Sequence, residues 1–150
     1  MKEYEINEET MAIIPLGYYQ TVVKEVDNEY VVDKKAYEIM EDSCEYYGST
    51  YKGRLAAAKK ILNSSYKIPI IIEESENIIF FPTKSSLLED CCWINYNFIK
   101  KYEKLGNKVK ITFQNNEEIE VDMSKLSLDN QISRSTMLEL VSRKRKINKK

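Results

Sequence analysis

Apolar positions along the chain follow two periods, and the switches between them outline its elements. Thr10–Leu16 is a short apolar run closed by Pro15 and Gly17, which predicts a strand near a sheet edge. Thr21–Val26 and Glu29–Val32 are rich in β-branched residues and flank Asp27–Asn28. They predict a hairpin with one wet face, because Glu and Lys alternate with Val. From Lys34 to Tyr47 the period lengthens. Ala36, Met40, Cys44 and Tyr47 share one helical face, with Glu38, Glu41, Asp42 and Glu45 elsewhere. Gly48 stops this helix. Lys52–Leu62 is helical by composition, with Leu55, Ala58, Ile61 and Leu62 facing inward. Lys52, Lys59 and Lys60 remain outside, with Arg54 near them.

In the second half, Ile68–Glu73 and Ile78–Pro82 flank Glu74–Asn77 as a second hairpin. Its runs Ile70–Ile72 and Ile78–Phe81 are continuously apolar, as in strands covered on both faces. Pro82–Ser86 is a polar loop leaving that core. Trp93–Tyr102 alternates, as do Val109, Ile111 and Phe113, then Ile119 and Val121, with Asn115–Asn116 as the last turn. This predicts an antiparallel meander with one wet face, whose lysines and glutamates pair across strands. Ser127–Lys146 reads as a final helix, capped by Ser127 or Asp129, with Ile132, Met137, Leu140 and Val141 inward. The expected class is α+β: antiparallel β-hairpins and a meander packed with two central helices and a C-terminal helix. A length of 150 residues suits one domain, ending in a basic stretch at about 143–150.

No apolar run approaches the roughly 20 residues that cross a membrane. The acidic N-terminus lacks a signal-peptide core, so a cytoplasmic location is expected. The three cysteines, Cys44, Cys91 and Cys92, lack the spacing of a zinc site, and there is no histidine. Buried thiols are expected, with neither metal nor cofactor, and histidine-based nucleophilic catalysis is excluded. The net charge of −1 hides a split: residues 1–47 hold 4 Lys/Arg against 12 Asp/Glu, and residues 48–150 hold 19 against 12. Such asymmetry fits a polyanionic partner, or else a dipolar but inert surface.

The residues that bear on chemistry cluster at Ser43–Arg54. Gly48–Thr50 forms a turn opening a helix that carries Lys52 and Arg54 in its first turns. Exposed N–H groups with two cations make a phosphate site, or else an ordinary cap beside solvated cations. Between Glu45 and Glu73 there is no acidic residue, so Lys52, Arg54, Lys59, Lys60 and Lys67 are expected to meet no local counter-charge. Lys84 with Ser85 and Ser86 could hold phosphate oxygens, or a serine there caps a short helix through Leu88. Arg143–Lys150 is either a solvated helix end or an arm that grips a nucleic-acid backbone. Gly48-x-x-x-x-Gly53-Arg54-Leu55 approaches a nucleotide-binding loop but lacks its lysine and its hydroxyl, and a helical segment precedes it. No enzyme is therefore expected. The alternatives are a small phosphate- or nucleotide-binding enzyme using the Gly48–Arg54 loop, and an interaction module whose acidic front, residues 1–47, docks a partner.

Taken together, Asp42–Arg54, Phe80–Ser86, Cys92–Ile94, Asn130–Arg134 and Glu139 carry a resemblance that runs from about Tyr4 to Leu140. The chain resembles the bacterial competence transcription factor (ComK) family. The resemblance implies a sequence-specific DNA-binding activator of DNA-uptake genes. It also implies binding to A/T-rich half-sites of double-stranded DNA through the minor groove, as a homo-oligomer at the nucleoid. RNA polymerase and an adaptor to a Clp protease are the further partners it implies. Family members extend beyond the last helix, so this chain is expected to be a short form. No helix-turn-helix or zinc-finger pattern is present, which agrees with minor-groove rather than major-groove reading. Arg54 on a glycine-flanked turn is the expected groove reader. Ser49, Thr50, Lys52 and Lys84 are expected to hold phosphates, with Gly53, Lys59, Lys60, Ser85, Arg143, Lys144 and Arg145 completing the DNA-facing set.

Overall fold

The continuous apolar runs lie where both faces of a sheet are covered. The computed structural model describes residues 1–148, and these form two antiparallel sheets and three α-helices. Strands β1 (Thr10–Pro15), β2 (Thr21–Glu25) and β3 (Glu29–Val32) lead into helices α1 (Ala36–Tyr46) and α2 (Tyr51–Leu62). Strands β4 (Ile70–Glu73), β5 (Ile78–Pro82) and β6 (Trp93–Asn95) complete a six-stranded sheet in the order β3-β2-β1-β6-β5-β4. Strands β7 (Ile99–Leu105), β8 (Lys108–Phe113) and β9 (Glu118–Val121) form a second sheet, and α3 (Lys125–Asn148) follows.

The layers follow from the side-chain alternation of the strands. One face of the large sheet carries Ile13, Val23, Ile70, Ile72, Phe80 and Trp93 against Ile39, Met40 and Cys44 of α1. The other carries Met11, Phe81 and Ile94 against Val109, Ile111, Phe113 and Val121 of the small sheet and Leu128 of α3. A third cluster joins Ile71 and Ile79 to Ala58 of α2 and Leu138 of α3. The α+β class, both hairpins, the meander and all three helices agree with the hydrophobic pattern. Lys110 bridges Glu103 at 2.8 Å and Glu118 at 3.1 Å, the cross-strand pairing expected on the wet face.

Three expectations need correction. Strand β1 is not near an edge, because it pairs with both β2 and β6; Pro15 and Gly17 end the strand rather than mark a free side. The edges are β3 and β4, and the N-terminus partly covers β3 through Met1 N to Val31 O at 3.2 Å and Asp33 N to Met1 O at 2.8 Å. Trp93–Tyr102 is not one strand. A 3-10 turn at Tyr96–Phe98, with Asn95 Oδ1 accepting from Asn97 N at 3.1 Å, carries the chain from one sheet to the other. Finally, α3 starts at Lys125 behind Ser124, whose Oγ accepts from Ser127 N at 3.1 Å, and not at Ser127 or Asp129. Its inner face is Leu128, Gln131, Ser135 and Leu138, with the expected Ile132 packed beside Leu128, while Met137 and Leu140 are exposed. The polar Gln131 is buried because its Nε2 donates to Lys67 O and Pro82 O, both at 2.9 Å.

Candidate nucleic-acid interface

The junction of α1 and α2 is built from the Gly48–Thr50 turn. Gly48 has φ +85°, which glycine adopts without penalty, and closes α1 with Gly48 N to Glu45 O at 2.9 Å and Ser49 N to Cys44 O at 3.0 Å. Thr50 then caps α2: its Oγ1 accepts from Gly53 N at 2.9 Å. Gly53 therefore lies inside the helix and not in a turn, and a Cβ there would come within 3.0 Å of Thr50 Oγ1. Tyr51 seats this end of α2 on the sheet, edge-on to Tyr37 at 4.9 Å and to Trp93 at 6.2 Å between ring centroids. Ser49 is half-buried beside the cap. Because helix α1 precedes Gly48, the strand-loop-helix setting of a nucleotide loop is not formed.

The outer face of α2 exposes Lys52, Gly53, Ala56, Ala57, Lys59 and Lys60. Among the described residues no carboxylate lies within ion-pair distance of Lys52, Lys59 or Lys60. Glycine and alanine between the lysines give this face low relief, so a flat or grooved partner can approach the helix closely. The basic end of α3 lies beside it. Arg143, Lys144, Arg145 and Lys146 are all exposed, and Arg143 pairs with Glu139 at 3.4 Å. Arg145, Lys146 and Ser142 line a cleft of about 190 Å³ with Arg54, Ala57 and Glu74. Two stretches nearly 90 residues apart in sequence thus meet at this cleft, on the flank of α2 away from Lys52 and Lys59. Lys149 and Lys150, the last of the expected basic arm, lie outside the described residues.

Arg54 departs from expectation. Its Nη1 contacts Glu74 Oε1 at 3.1 Å, its side chain is only 19% exposed, and its Nε is buried without a hydrogen-bond partner in the protein. The cation is therefore tucked against the side of α2 and does not project from a turn. The acid-free stretch of sequence does not deprive it of a counter-charge, because the β4–β5 hairpin brings Glu74 back across 20 residues. Lys84 is also occupied: Asp90 at 2.5 Å and Asp122 at 3.0 Å hold its ammonium charged above the usual lysine range. Ser85 belongs to a turn with no helix, its O accepting from Leu88 N at 3.0 Å. Lys67 sits 5.3 Å from the centre of the Tyr66 ring. The structure thus brings Arg54 to Arg145 and Lys146 in the cleft, leaves Lys52, Gly53, Lys59 and Lys60 on the exposed remainder of α2, and ties Lys84 to carboxylates at another point.

One organising residue carries no local signal. Arg134, on α3, donates to Lys67 O at 3.1 Å, Gln131 Oε1 at 2.9 Å, Ser64 Oγ at 3.0 Å and Tyr66 O at 2.7 Å. It fixes the loop after α2, where Asn63 and Lys67 both have φ +50°. The thiols take no part. Burial pushes Cys44 and Cys92 up to about 11 and raises Cys91 as well, and no metal-like cluster occurs among the described residues.

These features define a class: an α+β protein that presents a cationic helical face of low relief, flanked by the basic end of a second helix. The chain belongs to the ComK protein family, whose family model matches residues 1–147. It is 32% identical over 142 residues to a competence transcription factor of Bacillus subtilis (strain 168), a span covering 92% of this chain and 74% of that protein. No solved structure matches. No helix among the described residues is long and apolar enough to cross a membrane.

Proposed function

We propose that this protein is a transcription regulator of competence genes that binds double-stranded DNA with the face formed by α2 and the end of α3. Family membership and the relative's name support the regulatory role. The observation that carries the choice of surface is the set Lys52, Lys59 and Lys60, exposed without carboxylate partners and separated by glycine and alanine. Lysines in this state displace the cations condensed on DNA phosphates, and that release supplies most of the sequence-independent affinity for DNA. Arg145 adjoins this face at the cleft, Lys144 is exposed on the same end of α3, Arg143 turns to a separate hollow with Glu139 and Glu8, and Ser49 and Thr50 lie at the near end of α2. Lys84 and Ser85 contribute little, since two carboxylates already compensate Lys84.

A preference for A/T-rich DNA is assigned to its narrow minor groove, whose potential is most negative, with Arg54 held in the cleft beside Glu74 and engaging the backbone that borders the groove rather than entering it. Homo-oligomerisation, contact with RNA polymerase, delivery to a Clp protease by an adaptor, and residence at the nucleoid rest on the family resemblance alone. The test is binding to an A/T-rich and a G/C-rich duplex by the wild type and by Lys52→Ala/Lys59→Ala/Lys60→Ala. The triple variant loses affinity for both duplexes about equally, and its salt slope falls by about 0.9 for each phosphate contact removed. An unchanged slope removes α2 from the interface.

A further inference from the structure

We infer that the cleft between α2, β4 and the end of α3 is a seat for one DNA backbone phosphate, and that Glu74 fills this seat in the absence of DNA. The inference rests on the DNA-binding reading above. Three cations line the cleft, Arg54, Arg145 and Lys146, against the single carboxylate of Glu74. Among the described residues Arg145 and Lys146 have no ion pair of their own. Glu73 stands near Lys146 as well, so the cleft and its rim hold three cations against two carboxylates and keep an excess of one positive charge with Glu74 in place. Ala57 lines the cleft and also lies at one edge of the exposed face of α2, three residues before Lys60, so the seat opens beside that lysine.

The Arg54–Glu74 contact is built to exchange. It uses one nitrogen of the guanidinium, Nη1, and leaves Nε buried and unpaired. A guanidinium can present two parallel N–H donors to an anion and Glu74 engages only Nη1, so a phosphate that meets both terminal nitrogens satisfies more of Arg54 than Glu74 does. Glu74 is 46% exposed and returns to water readily. The hairpin turn does not need it. Glu73 shapes that turn, accepting from Ser75 N at 3.0 Å, Ser75 Oγ at 2.8 Å and Glu76 N at 2.9 Å. Glu74 can thus leave Arg54 without disturbing β4 or β5. DNA must compete with Glu74 for the arginine, so Glu74 raises the threshold for binding and penalises contacts that fail to engage Arg54.

The test is a double-mutant cycle on duplex binding with Glu74→Gln, Arg54→Ala and the pair, using Glu76→Gln as a charge-matched control on the same turn. Removing an exposed ion-pair competitor is expected to tighten binding of Glu74→Gln by roughly two- to fivefold over Glu76→Gln. This gain vanishes when Arg54 is alanine. An equal gain in both backgrounds reflects general repulsion and overturns the seat, as does no gain. Saturable binding of inorganic phosphate that requires Arg54 but is not competed by DNA would assign the cleft to a free anion, and that also overturns it. Wild-type binding to duplex is measured in the same series. Its absence sinks the DNA reading itself, whereas binding without coupling sinks only the seat.

Discussion

At the scale of single residues, several side chains have jobs that their types alone do not reveal. Thr50 is the clearest: its Oγ1 accepts from Gly53 N, so it caps α2, a role that its side-chain type shares with phosphate binding. Thr50→Ala should lower stability by about 1 kcal/mol in denaturant unfolding, with Thr50→Ser restoring it and the salt slope of DNA binding unchanged. A loss of slope would return Thr50 to the phosphate contacts. Glu73 gives a pH dependence. Desolvation pushes its carboxyl up, but hydrogen bonds from Ser75 Oγ, Ser75 N and Glu76 N, with Lys146 nearby, outweigh this and hold it below the ordinary 4.5. Its contribution to stability is therefore present above the unfolded-state pKa and lost as pH falls through the lower folded-state value. The urea midpoint should drop as pH is taken below about 4.5, less steeply in Glu73→Gln; parallel curves for the two proteins would contradict this.

At the scale of elements, local period was legible and long-range partnership was not. The hairpins around Asp27–Asn28 and Glu74–Asn77, and both central helices, follow from alternation, turn residues and Gly48, all of which act over a few residues. The interior place of β1 depends on β6, some 80 residues away, which nothing around Pro15 announces. The break at Tyr96–Phe98 is hidden because the alternation before and after it continues while the partner sheet changes. The stripe on α3 was only partly legible: Ile132 does pack inward, but Met137 and Leu140 are exposed while the polar Gln131 and Ser135 are buried, Gln131 against two carbonyls. The Arg54–Glu74 contact was illegible for the same reason: an acid-free stretch of sequence says nothing about acids that fold back. Arg134 shows how α3 secures α2's exit. Arg134→Ala removes four hydrogen bonds and leaves Lys67 O and Tyr66 O to find other donors. A destabilisation of about 2–3 kcal/mol is expected, read as a lower denaturant midpoint at constant slope. A variant as stable as the wild type would show that water replaces the arginine.

At the scale of the whole molecule, the charge split acquires a location. The acidic N-terminal third supplies Glu8 and Glu9, which share a shallow surface with Glu73 and Glu76, and the basic remainder supplies the α2–α3 face. On the proposed DNA-binding reading, these carboxylates would repel a duplex that strayed from the cationic face. The most direct measurement is a salt titration of duplex binding, with A/T-rich and G/C-rich DNA compared in wild-type protein and in Lys52→Ala/Lys59→Ala/Lys60→Ala. Binding by an α2–α3 face predicts a steep negative slope of log K against log salt and tighter binding to the A/T-rich duplex. It also predicts that the triple variant loses slope while keeping its fold. A wild-type slope near zero, or a triple variant that binds both duplexes like the wild type, would contradict it.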